Sequence, residues 1–284
     1  MNSKTGVLYI VATPIGNLAD LSPRAQAILS QVHLVLAEDT RQTGTLMQHF
    51  GIRTPMQAFH EHNERERLDG VLQKLADGQD VALVSDAGTP LISDPGYPLV
   101  RAARQRGLTV SPIPGPCALV AALSASGLPT DRFVFEGFVP AKAGARQTLL
   151  QRLADEPRTV VLYESSHRIV KTLEAMAEVF DDSRELVLGR EISKKFETFY
   201  AGTPAQILQS LTTGAYDRKG EFVLMIAPAP EAAEDTPELN GLLTLLLTEL
   251  SVKSASRIAA EWTGVSRKRA YELALALERK GRSI

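Results

Sequence analysis

Short runs of β-branched and aliphatic residues alternate with longer stretches of helical periodicity through the first half of the chain. VLYIVAT (7–13), LVLAED (34–39), Met56–Phe59, VALV (81–84) and LTVSPIP (108–114) read as strands, and 21–31, 40–50, 63–77, 96–106 and 116–125 read as helices. Brief strands separated by helices of about ten residues or more are the mark of βαβ units. The first half is therefore predicted to be α/β with a parallel sheet.

After SGLPTDRF the pattern restarts. FVFEGF (133–138), RTVVLYE (158–164), ELVLGRE (185–191), FETFYAG (196–202) and GEFVLMIA (220–227) are predicted strands, with helices at 144–155, 167–180 and 204–213. Strands spaced this closely late in the set require some antiparallel pairing, so the second sheet is expected to be mixed. APAPEAAEDTPE (227–238) reads as a Pro-rich acidic linker with little to bury. Beyond it, LNGLLTLLLTEL, SASRIAAEWTG and SRKRAYELALALE form three helical patterns, with Gly264 as a C-cap and Ser266 as an N-cap between the last two. Two short helices broken there resemble a helix-turn-helix, a motif also common as plain packing. The expected organisation is an N-terminal α/β domain (1–130), a second α/β domain (131–230) closing a cleft, and a linker with a helical tail (231–284).

Composition narrows the class. At 284 residues, 44% apolar and 23% charged, the chain can build full cores. It has no stretch near the roughly 18–20 apolar residues of a membrane span, and MNSKTG lacks a secretory pattern, so a cytoplasmic protein without membrane association is expected. A single cysteine, Cys117, excludes an internal disulfide and a Cys-based zinc site. The net charge of −2 hides an asymmetry: residues 251–284 carry eight Lys/Arg against three Glu. A basic tail on an acidic body fits either a polyanionic partner or a solvated helical face.

Four loops at predicted strand ends have unusual content: Thr13–Leu18, Glu38–Arg41, SDAGTPLISDPG (85–96) and Pro114–Ala118. In open α/β sheets, ligands sit beyond the carboxyl ends of strands. No G-x-G-x-x-G fingerprint and no phosphate loop occurs, which argues against NAD or ATP. In SDAGTPLISDPG the glycines let backbone approach a ligand, while Asp86, Thr89, Ser93 and Asp94 offer polar handles. That content suits an uncharged ring or a zwitterion; two tight turns would explain Gly and Pro but leave the acids without a task. The small-residue helix after PGPC fits close approach to a ligand, or ordinary packing of a good helix former.

In order, TPIGNLAD, AEDTR, SDAGTPLISDPG, PGPCA, GFVPAK, YESSHR, GREISKKFET and KGEFVL resemble the ribosomal RNA small subunit methyltransferase I family of the tetrapyrrole methylase superfamily. The resemblance covers residues 7 to about 227, and the basic helical tail is similar too. It implies S-adenosylmethionine as methyl donor, bound between two α/β domains. It further implies transfer to the ribose 2′-hydroxyl of a cytidine in the decoding region of 16S rRNA, within the 30S subunit, by a homodimer. Carried over by position, the donor touches Pro14, Asp86, Gly88, Thr89, Ile92 and Ser93, with Cys117 and Ala118 at a helix start; Tyr163, Arg190, Gly220 and Glu221 close the site. The superfamily's Gly-Asp-Pro loop stands here as Gly88-Thr89-Pro90, a departure that removes a carboxylate at Thr89 and leaves Asp86 as the candidate replacement.

For the transfer itself, Asp39 or Asp86 is the candidate base, with Arg41 and Lys195 steering ribose and phosphate. Asp39 is equally suited to capping the helix that starts at Thr40, and Arg168 to pairing with Glu164. Nothing near Cys117 in sequence marks a base, so it is read as a packing neighbour and not a nucleophile. HEHNERER (60–67) lacks the H-E-x-x-H motif, and no metal site is predicted. Lys142, Arg146, Lys194 and Lys195 are candidates for the cleft mouth; Phe138, Phe196 and Tyr200 are read first as core aromatics by alternation and second as base-stacking surfaces. Two other readings stand beside an rRNA methyltransferase: a tetrapyrrole or other small-molecule methylase on the same fold, and a non-enzymatic regulator with a DNA-reading tail.

Overall fold

The computed structural model describes residues 5–180, 182–230, 237–265 and 267–281. Ser266, most of the acidic linker (231–236) and Arg282 of the basic tail lie outside the described residues. The chain divides into two compact units. One comprises the residues up to Leu153 together with Thr159–Ala227; the other comprises Ala154–Arg158 and the segment from Pro228 onward.

The first sheet of the larger unit holds β1 (Val7–Val11), β2 (Leu34–Ala37), β3 (Met56–Ala58), β4 (Val81–Val84) and β5 (Thr109–Ile113). Their order is β3-β2-β4-β1-β5, and every pairing is parallel. Each strand is followed by a helix: α1 (Pro23–Gln31), α2 (Thr40–His49), α3 (Glu64–Ala76), α4 (Tyr97–Gln105) and α5 (Ala118–Ala125). VALV is buried at all four positions because both faces are covered, as a central parallel strand requires. The period-2 alternation sorts the sides: Val35, Ala82 and Val84 join one core with Leu29 of α1 and Met47 of α2. Leu36, Val81 and Leu83 join the other with Leu72 of α3 and Leu99 of α4.

β1 and β4 are neighbours, yet the chain leaves β1 toward α1 on one face and β4 toward α4 on the other. This divergence is a topological switch point, where a crevice opens at the strand ends. The loops 12–17 and 85–96 leave from that point.

The second sheet contains β6 (Phe133–Phe138), β7 (Thr159–Ser165), β8 (Leu186–Arg190), β9 (Thr198–Gly202) and β10 (Glu221–Ile226). Its order is β6-β7-β10-β8-β9, with β6 parallel to β7 and the remaining pairs antiparallel, so it is mixed as expected. The helices α6 (Ala143–Leu153), α7 (Ile169–Val179) and α8 (Pro204–Thr213) connect its strands. α5 packs on this sheet through Leu119, Ala122 and Leu123 against Val161, Val187, Val223 and Met225. Ile15 and Ile92 from the switch-point loops enter the same cluster.

The smaller unit is helical: α9 (Pro237–Leu246), α10 (Val252–Thr263) and α11 (Arg267–Gly281). Leu239, Leu243, Ala255, Ala259, Val265 and Ala274 form its core. Gly264 is the C-cap of α10 in the left-handed region, as its place in the sequence predicts, and Ser251 caps the other end through its hydroxyl.

Leu83 is 1% exposed at the centre of the first sheet. Leu83→Ala should lower unfolding stability by about 3 kcal/mol through lost transfer energy and the cavity left behind, read as a lower urea midpoint without a change in slope.

Candidate active site

The two switch-point loops are joined by a small antiparallel bridge. Thr13 N donates to Gly88 O at 2.9 Å and Gly88 N to Thr13 O at 3.0 Å. Gly88 has φ +87°, and a Cβ there would sit 3.3 Å from Ile15 Cγ2, so the position accepts little else. Thr89 Oγ1 donates to Pro116 O at 3.0 Å, tying the loop to the start of α5. The residue that departs from the superfamily pattern thus has a structural task.

Above these loops lies a cavity of about 460 Å³, within the range for a small organic ligand. The first sheet supplies Ile15, Asp86, Gly88, Thr89, Ile92 and Ser93 to its wall, and the start of α5 supplies Cys117 and Ala118. From the second sheet come Phe138, Tyr163 and Glu221. Tyr163 accepts a hydrogen bond from Leu119 N at 3.1 Å, satisfying one free amide at the start of α5. Burial pushes its phenol up to about 12, so the hydroxyl stays neutral.

Of the donor-site residues predicted from sequence, Asp86, Gly88, Thr89, Ile92, Ser93, Cys117, Ala118, Tyr163 and Glu221 meet around this cavity. Pro14, Arg190 and Gly220 are not among its lining residues. Gly220, at φ +113°, lies against Glu191, where a Cβ would come within 2.6 Å of Cγ. It positions Glu221, which Lys194 bridges to Glu191 at 2.8 and 3.0 Å. Arg190 is buried and bound to Asp217 at 2.7 Å.

The floor is acidic. Burial, opposed by the Asp39 backbone amide, pushes the Asp86 carboxyl up; Glu38 beside it is also raised, chiefly by burial. Asp94 is pushed up to about 6 by burial and by the charge of Glu38, against a hydrogen bond from Ser85. Glu38 is the site residue that sequence reasoning missed, although it stands within one of the loops singled out; Asp94, read there as a polar handle for a ligand, does line the cavity. Asp86 Oδ1 accepts from Asp39 N at 2.9 Å and Oδ2 from Gln42 Nε2 at 3.0 Å, which fixes its orientation.

Asp39 caps α2 by accepting from Arg41 N at 2.8 Å and pairs with the Arg41 guanidinium at 2.6 Å. That side-chain bond holds its carboxyl down at about 2. Lys195 lies outside the cavity, exposed, with its ammonium 5.5 Å from the Phe196 ring centroid.

Three other sequence readings change. Phe138 and Phe196 are 55% and 61% exposed, not core. In β6 a register shift between Phe135 and Phe138 inserts an extra residue opposite β7, with Gly137 at φ +70°, and strand parity no longer holds for Phe138. Phe196 falls in the loop before β9, where alternation has no force. Arg146 is buried in the first turn of α6, its Nη1 3.4 Å from Ala141 O, and does not stand at a cleft mouth. The expected pairing of Arg168 with Glu164 is present at 2.8 Å, and Thr172 donates to the same buried carboxylate at 2.6 Å.

Asp94 carries a pH test. A carboxyl raised from 3.8 to about 6 binds more protons folded than unfolded between those values, so stability falls as pH rises through that window. Asp94→Asn should raise Tm at pH 7.5 and leave it nearly unchanged at pH 4, by scanning fluorimetry; an equal shift at both would mean the carboxyl is not raised.

Comparison with known proteins follows the same geography. Residues 7–208 match the family of tetrapyrrole (corrin/porphyrin) methylases, and residues 233–278 match the RsmI C-terminal HTH domain. The chain is 51% identical over 281 residues to the ribosomal RNA small subunit methyltransferase I of Pseudomonas aeruginosa, covering 98% of this chain and 99% of that one. It is 48% identical over 275 residues to the protein of that name from Escherichia coli O157:H7, covering 96% of each. Among solved structures, a uroporphyrin-III-C-methyltransferase from Thermus thermophilus superposes with TM-score 0.53 at 21% identity, over 78% of this chain and 94% of that one. The methyltransferase CobJ does so with TM-score 0.57 at 18% identity, over 79% and 95%. These two likenesses are of fold.

Proposed function

The chain belongs to the ribosomal RNA small subunit methyltransferase I family of the tetrapyrrole methylases, and on that premise we propose that it transfers a methyl group from S-adenosylmethionine to the 2′-hydroxyl of a cytidine ribose in the decoding region of 16S rRNA. The observation that carries the reading is the cavity at the switch point: apolar walls for a nucleoside, with three carboxylates below. When bound, S-adenosylmethionine supplies an electrophilic methyl group.

The fit rests on the charges. Glu38, Asp86 and Asp94 are all raised because burial and, in each, a neighbouring carboxylate disfavour their ionised forms. A ligand bearing an ammonium and a sulfonium relieves that repulsion, whereas a phosphate chain would add to it. Ile15, Ile92 and Ile192 give the apolar wall, and Gly88, without a side chain, lets Ile15 pack close against its loop.

For the proton of the ribose hydroxyl, Asp86 is the better base of the two sequence candidates. Its affinity for a proton is raised by burial, while Asp39 is held near 2 by Arg41 and is a weak base at neutral pH. Gln42 Nε2 and Asp39 N hold the Asp86 carboxylate in one orientation, so Asp39 and Gln42 act as positioning residues. The Arg41 side chain is 89% exposed, which lets its guanidinium face a substrate phosphate while it remains paired with Asp39. Orientation of the reacting groups can contribute about 7–11 kcal/mol, so alignment rather than acid-base chemistry carries most of the rate. A homodimer, the 30S particle as substrate and a cytoplasmic location complete the proposal, as the sequence motifs' resemblance implies.

Calorimetry should detect S-adenosylmethionine binding that strengthens from pH 5 to 7.5 as the acidic floor ionises. Tritium from labelled donor should enter 30S subunits, and alkaline hydrolysis should leave the label in a dinucleotide, since a 2′-O-methyl group blocks cleavage at its own linkage. Label recovered in mononucleotides would assign the methyl to a base and overturn the ribose reading. Label on a tetrapyrrole in place of RNA would favour the small-molecule methylase. Asp86→Asn should lower kcat at least about tenfold if the carboxylate takes a proton, with donor affinity falling less.

A further inference from the structure

At the far edge of the second sheet, the loop before β9 (191–197), the end of α8 and the segment 214–219 enclose an open hollow of about 820 Å³. Lys195, Arg218 and Lys219 stand exposed around it. Among the described residues, no carboxylate lies within ion-pairing distance of these three side chains. Their neighbours are different: Lys194 is neutralised by Glu191 and Glu221, and Arg190 by Asp217. An excess of free cations here contrasts with a body whose net charge is negative.

Phe196, 61% exposed, lies in the midst of these charges with the Lys195 ammonium over its ring. Beside it Tyr200 and Tyr216 stack at 3.9 Å and 11°. The arrangement is held from beneath. Arg190 donates from Nε to Lys219 O at 2.7 Å and from Nη1 to Phe196 O at 3.0 Å, so one buried guanidinium fixes both rims. Ordering is thereby done in advance of binding.

We propose that this hollow docks a single-stranded segment of RNA, whose phosphates meet Lys195, Arg218 and Lys219 and one of whose bases stacks on Phe196. The proposal rests on the reading that the substrate is RNA, and adds a second subsite to it. Free cations around an exposed ring match a polyanion that carries flat π faces; a second copy of this net-acidic chain presents no such regular match. The loop 191–197 serves both places, since Ile192 lines the cavity and Phe196 the hollow. Four residues of extended chain span at most about 14 Å, a distance that neighbouring nucleotides of an open strand can bridge.

The test uses the full-length protein, a fluorescent single-stranded RNA twelve nucleotides long, and 30S subunits. All the substituted side chains are exposed, so Tm should not move. Arg218→Ala with Lys219→Ala should weaken RNA binding about tenfold or more and flatten the dependence of log affinity on log salt by about 1.4. Phe196→Leu should weaken binding about five- to tenfold with the salt slope unchanged. For both, KM for 30S subunits should rise while donor affinity by calorimetry stays at the wild-type value. Unchanged RNA affinity and KM would overturn the proposal. So would conversion of a dimer to monomers in sedimentation with RNA affinity intact, which would make the hollow a subunit contact. Failure of the wild-type protein to bind S-adenosylmethionine or methylate RNA would instead count against the functional reading, because the RNA-binding comparison requires no donor.

Discussion

Adjacent parallel strands whose chains depart toward opposite faces cannot close the space beyond their ends, and the rest of the site depends on this constraint between β1 and β4. The paired backbone bonds between Thr13 and Gly88 hold the two departing loops at a fixed separation. Thr89, bonded to Pro116 O, brings a third loop to the same place. Apolar residues from these loops then enter the core of the second sheet, so the wall of the cavity and the packing of that sheet are one structure.

Electrostatics adds a second layer. A carboxylate cluster held half out of water is costly without a cation, and the fold carries that cost in the loops after β2 and β4. The bonds that orient Asp86 come from a backbone amide and a neutral amide side chain, neither of which neutralises it. Asp39, whose own amide bonds Asp86, is paired through its carboxylate with Arg41 and behaves as an ordinary helix cap. The same residue type thus shifts in opposite directions on the two sides of one hydrogen bond, because Asp86 is held up by burial and Asp39 is held down by a guanidinium.

Most of the architecture was legible in the chain. Runs such as VALV, apolar at every position, report a strand covered on both faces, and the return to closely spaced strands after 185 reports antiparallel partners. The loops of the cavity were legible from their Gly, Pro and Asp content, and nine of the donor-site candidates gather there. What periodicity could not convey was anything that depends on a break in periodicity: the extra residue at Gly137, or the start of β9 after Phe196 rather than at it. Arg190 and Arg146 show a related limit. A charged residue in a motif looks functional in sequence whether it faces a ligand or lies buried, and burial is decided by elements distant along the chain. Glu38 was overlooked for the converse reason, since its importance arises from proximity to Asp94 across 56 positions.

The irregularity in β6 has a consequence for how this wall tolerates change. The extra residue leaves Phe138 opposite Tyr163, which it meets edge-on at 5.4 Å; one more residue inserted between Phe135 and Phe138 would slip Phe138 along β7 and turn its ring to the other face. An insertion there would therefore strip one side from the cavity, whereas a deletion that makes the ladder regular would keep Phe138 opposite Tyr163, so the wall is less tolerant of lengthening this strand than of shortening it.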